Sequence, residues 1–178
     1  MATTTLVRRS FAAGIALLLS LPLGCAPALV QLRPEREPVR SAGFVEPLEV
    51  IASLAGGADP LPVRGSRIAY GGLTGATSQF VGAAARSWAE RHRAARPGGW
   101  QLLVEIIRSD AETGAGGLTV ELETRVTLRG TRGQIHLGQG RGYCKVTGAM
   151  TGDGSPVVYQ CLERMSRDLA GWLEGLNP

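Results

Sequence analysis

Leu118-Thr-Val-Glu-Leu-Glu-Thr-Arg-Val-Thr-Leu-Arg129 is the stretch that decides the fold. Leu118, Val120, Leu122, Val126 and Leu128 alternate with Thr119, Glu121, Glu123, Arg125, Thr127 and Arg129. A strict period of two marks a strand with one buried face and one wet face. Such a strand needs neighbours to pair with and an apolar layer over its buried side.

Both can be read from the flanking sequence. Trp100 to Arg108 is apolar on both alternations, which suits a central strand, and Asp110 and Glu112 then flank a hairpin loop. Gly130-Thr131-Arg132-Gly133 reads as a hairpin turn. Gln134 to Val146 returns as a strand with Ile135 and Leu137 inward. Upstream, Leu48 to Leu54 and Arg67 to Leu73 read as shorter strands.

Two helices supply the covering layer. Ser78 caps a helix running to Ala95, with Phe80, Val81, Ala84, Ala85 and Trp88 on one face. Ser155-Pro156 opens the second, with the serine as cap and the proline at the first helical position. Val158, Leu162, Met165, Leu169, Trp172 and Leu176 form its apolar stripe. The expected fold is therefore α+β: two helices packed on one face of a mainly antiparallel sheet.

Composition narrows the functions open to such a domain. The chain has 178 residues, 44% hydrophobic and 19% charged, enough for one core of ordinary size. Two His and three Cys leave little for a transition-metal site, and 5% aromatics leave few stacking platforms for single-stranded nucleic acid. The net charge is +4, and every basic residue except Lys145 is an arginine. These arginines are interspersed with acids, as on a solvated surface. Neither a nucleic-acid partner nor a cofactor is expected.

The amino terminus reads as an export signal. Arg8 and Arg9 precede an apolar stretch from Phe11 to Leu23. At 1.5 Å per residue that stretch spans about 20 Å as a helix, short of a bilayer core. Leu21-Pro22-Leu23-Gly24-Cys25 resembles the lipobox of bacterial lipoproteins, with Leu21 one place earlier than the motif's usual leucine. The resemblance implies cleavage after Gly24 and acylation of Cys25. It also implies a palmitate-type lipid anchor in the membrane. Ala26, rather than Asp, follows the cysteine, which by analogy implies the outer membrane, facing the periplasm.

Three regions follow: a signal peptide over 1–24, a lipidated Cys25 with a Pro-rich tether over 25–47, and a periplasmic α+β domain over 48–178. The tether holds Pro27, Pro34, Pro38 and Pro47 among charges and shows no periodicity.

Setting Cys25 aside leaves Cys144 and Cys161. An exported chain meets an oxidising compartment, so the pair is expected as a disulfide; two buried thiols are the alternative. Neither His92 nor His136 stands where it would make a cysteine catalytic. Gly138-Gln-Gly-Arg-Gly142 lacks the Lys-Ser/Thr and following helix of a phosphate loop. Its glycines suit a flat strand or a close backbone approach. Glu121 and Glu123, about 7 Å apart on one strand face, have a spacing that glycoside hydrolysis could use. A solvated sheet face carries such acids as well.

The order of elements resembles that of small periplasmic lipoproteins that assist envelope transport. These include the auxiliary lipoproteins of ABC-type lipid transporters and the outer-membrane lipoprotein of lipopolysaccharide assembly. Ser87-Trp88-Ala89-Glu90, the strand from Leu118 to Arg129 and the final helix to Leu176 carry the likeness. It implies a non-enzymatic accessory protein that binds an envelope protein or a lipid-like ligand. Glu121, Glu123 and Arg125 are the candidate contacts, outward-facing residues whose substitution should leave folding intact. A cell-wall or glycan-acting enzyme and a purely structural lipoprotein are the alternatives. The lipobox makes a direct prediction: Cys25→Ser abolishes acyl labelling and leaves precursor or soluble protein in cell fractionation. Unchanged membrane fractionation at mature size would contradict it.

Overall fold

A computed structural model of the chain describes residues 26–33, 48–92, 99–130 and 136–176. The signal peptide, Cys25, most of the expected tether, the turn beyond Gly130 and Ile135 lie outside the described residues. The strands are β1 (Ala28–Gln31), β2 (Leu48–Leu54), β3 (Leu61–Arg64) and β4 (Ile68–Gly71), then β5 (Trp100–Gly114), β6 (Gly117–Gly130) and β7 (His136–Gly148). The helices are α1 (Leu73–Arg91) and α2 (Ser155–Glu174). The strands form one mixed sheet in the order β1-β4-β3-β5-β6-β7, with β2 also paired to β5. This is the α+β architecture expected.

β5 organises the sheet. On one side it pairs antiparallel with β6 along nearly its whole length. On the other it takes two parallel partners end to end: β2 along Trp100 to Ile106 and β3 at Ala111 and Glu112. Between them, at Ile107, its register with β6 shifts. The shift changes the parity of the buried side chains. Trp100, Leu102, Val104 and Ile106 point to the helices before it, and Ala111 after it. A bulge of this kind carries Arg108, Asp110 and Glu112 out to solvent, where unbroken alternation would bury them. β5 therefore runs on to Gly114. Asp110 and Glu112 stand within the strand, not beside a hairpin loop; the loop is Ala115-Gly116. The link from β2 to β3 crosses the bulge at Gly56 and Gly57. Gly57 has φ 106°, and a Cβ there would collide with Ser109.

Besides the longer β5, the structure adds β3, which no expected strand covered, and three other elements differ from expectation. α1 starts at Leu73, not Ser78, with left-handed Gly72 as its N-cap (φ 79°) and the Gly72 N–H donating to Asp59 Oδ1 at 2.9 Å. Its buried face extends back through Thr77, Ala76 and Leu73; small and polar residues hid that turn. α2 is capped by Gly154, and Asp153 Oδ1 accepts the Ser155 N–H at 2.9 Å. That bond holds the Asp153 carboxyl below its usual range. Finally, Ala28–Gln31 lies within the span read as tether, yet it is a strand parallel to β4. Leu32 beyond it is buried in the core.

The helices lie side by side on one face of the sheet and run in the same direction. Phe80 stacks on Tyr159 at 5.7 Å, while Arg91 and Glu174 pair at the far ends. One cluster gathers Leu73, Ile106, Leu118, Leu122 and Leu162, and the other Trp88, Trp100, Leu102, Leu128 and Leu173. Trp88 meets Trp100 edge to face at 5.3 Å. Buried Tyr70 donates its hydroxyl to the Asp153 carbonyl at 2.7 Å. Burial, with the nearby Asp153 charge, pushes the phenol up to about 12. At Gly138 and Gly140 a Cβ would sit 3.0 Å from Leu176 and Trp172 respectively. These glycines let α2 lie close against β7, the close-approach reading of Gly138 to Gly142.

Cys144 and Cys161 are joined as expected, with Cα atoms 5.5 Å apart, pinning the first turns of α2 to β7. The closed loop is short, so the chain-entropy contribution is about 3 kcal/mol. Replacing both cysteines with serine should lower the urea unfolding free energy by about 3 kcal/mol while leaving the far-ultraviolet spectrum intact. An unchanged midpoint would show that helix packing alone holds α2.

Candidate functional site

Because both helices occupy one face, the other face of β5, β6 and β7 is open among the described residues. The register lays its side chains out in rows. Glu105 stands opposite Arg125, which faces Arg141 on β7. Arg108 lies beside Glu123 and Tyr143, and Asp110 beside Glu121 and Lys145. Glu112 continues to Thr119 and Thr147. The sequence-predicted Glu121, Glu123 and Arg125 all lie on this face of β6.

Ion pairs stitch the rows together. Glu121 accepts from Arg108 at 3.1 Å and Lys145 at 3.5 Å. Glu123 faces Arg141 at 3.7 Å, and Arg125 faces Glu105 at 3.5 Å. At the β3 edge, Arg64 reaches Asp110 at 2.5 Å and Glu112 at 3.1 Å. At the other end Arg129 donates to Gln101 at 2.6 Å, and Gln101 donates to Glu49 at 2.5 Å. Acids and bases are interspersed across the face, with like charges opposed only at Arg125–Arg141 and Asp110–Glu121 among the described residues, so no broad field of one sign develops.

The two glutamates differ in environment. The Glu121 side chain is 14% exposed between its two cations, and that of Glu123 is 28% exposed beside Arg141 alone. Exposed pairs contribute at most about 1 kcal/mol each. Glu121 is thus tied to the neighbouring strands by two cations where Glu123 has one, so its reversal is expected to cost more than that of Glu123. Arg125 remains half exposed.

Sequence reading missed Tyr143, which is 50% exposed and faces Glu123 across the strands. It also missed Arg108, Arg141 and Lys145 as the partners of the acids. Tyr143 was legible only as an aromatic of outward parity beside Cys144, once the latter was taken as inward. Ile51, 39% exposed, is opposite Leu103 at the far edge of the same face.

A cavity of about 20 Å³ beneath Gly140, Gly142, Met165 and Trp172 has room for about one water. Among the described residues no three His, Cys, Asp or Glu side chains gather to hold a metal, and no helix is long and apolar enough to cross a membrane.

No family model matches the chain, and no curated protein matches it. Solved structures do. A Xanthomonas campestris protein of the DUF330 family aligns over 83% of this chain and 91% of its own, at 11% identity and TM-score 0.45. A candidate lipoprotein of Caulobacter crescentus aligns over 58% and 99%, at 16% identity and TM-score 0.32. The PelC dodecamer subunit of Paraburkholderia phytofirmans aligns over 69% and 89%, at 11% identity and TM-score 0.36.

The contrast between the glutamates is measurable. Glu121→Arg exchanges two attractions for two repulsions and should cost about 2 kcal/mol, partly recovered in high salt. Glu123→Arg should cost less than about 1 kcal/mol. Equal urea midpoints for the two variants would show that burial of Glu121 carries no weight.

Proposed function

We propose that the chain is a non-enzymatic, lipid-anchored envelope protein that docks a protein partner on the open face of its sheet. The observation carrying this reading is that face itself. It is uncovered by helices and presents half-exposed Tyr143 and Arg125 within a lattice of fixed charge. Tyr and Arg are the residues that most often carry interface energy. A lattice of both signs favours a partner of complementary pattern over a uniformly charged polymer.

Two further observations support the reading. Glu121 and Glu123 both face cations, which suits structure and recognition better than acid–base work on a glycan. The cavity between α2 and β7 at Gly140 and Trp172 is too small for an acyl chain, which favours a protein partner over an amphiphile held there. The lipobox ending in Cys25, followed by Ala26, supports attachment to the outer membrane.

The test is site-specific photo-crosslinking from Gln139 in intact cells, comparing wild type with Tyr143→Ala and Arg125→Glu. Loss of a hot-spot side chain costs about 2 kcal/mol, so each variant should lose most of the crosslinked product while keeping its melting temperature. Undiminished crosslinking in both stably folded variants would remove the open face as the docking site.

A further inference from the structure

The anchor and the fold meet sooner than a tether allows. Only Ala26 and Pro27 separate Cys25 from Ala28, the first residue of β1. From Ala28 to Arg33 the chain is fixed to the domain. The Ala28 N–H donates to the Arg67 carbonyl at 2.6 Å, and the Leu32 N–H to the Gly71 carbonyl at 2.9 Å. Leu32 is buried, and the Tyr159 hydroxyl donates to the Arg33 carbonyl at 3.1 Å. Three extended residues span at most about 11 Å, whereas a free tether running to Leu48 could span about 80 Å.

That short reach selects one end of the domain. β1 is parallel to β4, so its start lies beside Arg67 and Ile68. The turn before them is tied to the tip of the β5–β6 hairpin, where Thr113 Oγ1 donates to the Arg64 carbonyl at 3.2 Å. The two tips at this end are built from small uncharged residues, Gly65 and Ser66 in the turn and Gly114 to Gly117 at the hairpin, with the exposed Arg64–Glu112 pair just behind them. Arg67 is exposed there, and Leu29 on β1 is 54% exposed. An apolar side chain and a guanidinium beside an acyl chain match the interface between lipid tails and phosphates.

We propose that the acylated amino terminus seats the domain end-on against the phospholipid bilayer, with the β3–β4 turn and the β5–β6 hairpin tip facing the headgroups. The seat rests on the acylation of Cys25 given above. It turns the open face sideways, toward proteins embedded in the same membrane.

Fluorophores on Ser66→Cys, Ala115→Cys and Glu90→Cys test the seat. The full lipidated protein is used, with its disulfide intact, in phosphatidylethanolamine–phosphatidylglycerol vesicles carrying a headgroup quencher. Fluorescence should be lost at Ser66 and Ala115 and retained at Glu90, toward the carboxyl end of α1. A flexible spacer inserted between Pro27 and Ala28 should restore the first two signals without altering acylation. Equal quenching at all three positions in vesicle-bound, acylated protein overturns the seat alone. Absence of the acyl mass on Cys25 overturns both the seat and the lipid anchor.

Discussion

The register shift of β5 at Ile107 is the constraint on which the rest of the sheet depends. A strand with strict alternation from Trp100 would drive Arg108, Asp110 and Glu112 into the helices, where unpaired charge costs several kcal/mol. One extra residue moves all three to the wet face. There they meet Glu121 and Arg64, so a single irregularity creates both the second half of the core and much of the ionic lattice. It also divides the far edge of β5 between β2 and β3.

The helical side obeys a different rule. β7 offers α2 almost no side chain at Gly138, Gly140 and Gly142, and the bulk comes from Trp172, Leu176 and Met165 instead. Volume is moved from strand to helix, which brings the backbones together and suits the short span of the Cys144–Cys161 link. The same glycines leave β7 with outward side chains of real size only at Gln139, Arg141, Tyr143, Lys145 and Thr147, and those form the edge of the open face.

Much of this was legible in the sequence. β6 could be read outright because its wet face is charged and its dry face branched, and that reading correctly put Glu121, Glu123 and Arg125 together. The disulfide followed from the thiol count. What escaped lacks a local signal. The parity change in β5 falls between Ile106 and Ile107, two identical residues that no pattern distinguishes. β3 contains Pro62 and has only four residues. β1 is largely exposed and flanked by prolines, so nothing but its partner β4 makes it a strand. The cationic half of the site was hidden because register, not composition, decides which arginine meets which acid.

The separation of partners along the chain fixes an order of assembly. Gly114 pairs with Gly117, Leu118 with Gly148, and Cys144 with Cys161, so β5 through α2 closes by near-neighbour contacts. Leu48 pairs with Trp100 and Val63 with Ala111, each across some fifty residues. A chain emerging amino end first therefore carries β2 and β3 with no β5 to pair against until more than half of it is made. β1, β3 and β4 can pair among themselves at once, whereas β2 must wait for β5, so the far edge of the central strand closes last and on a template that the carboxyl-terminal hairpins supply.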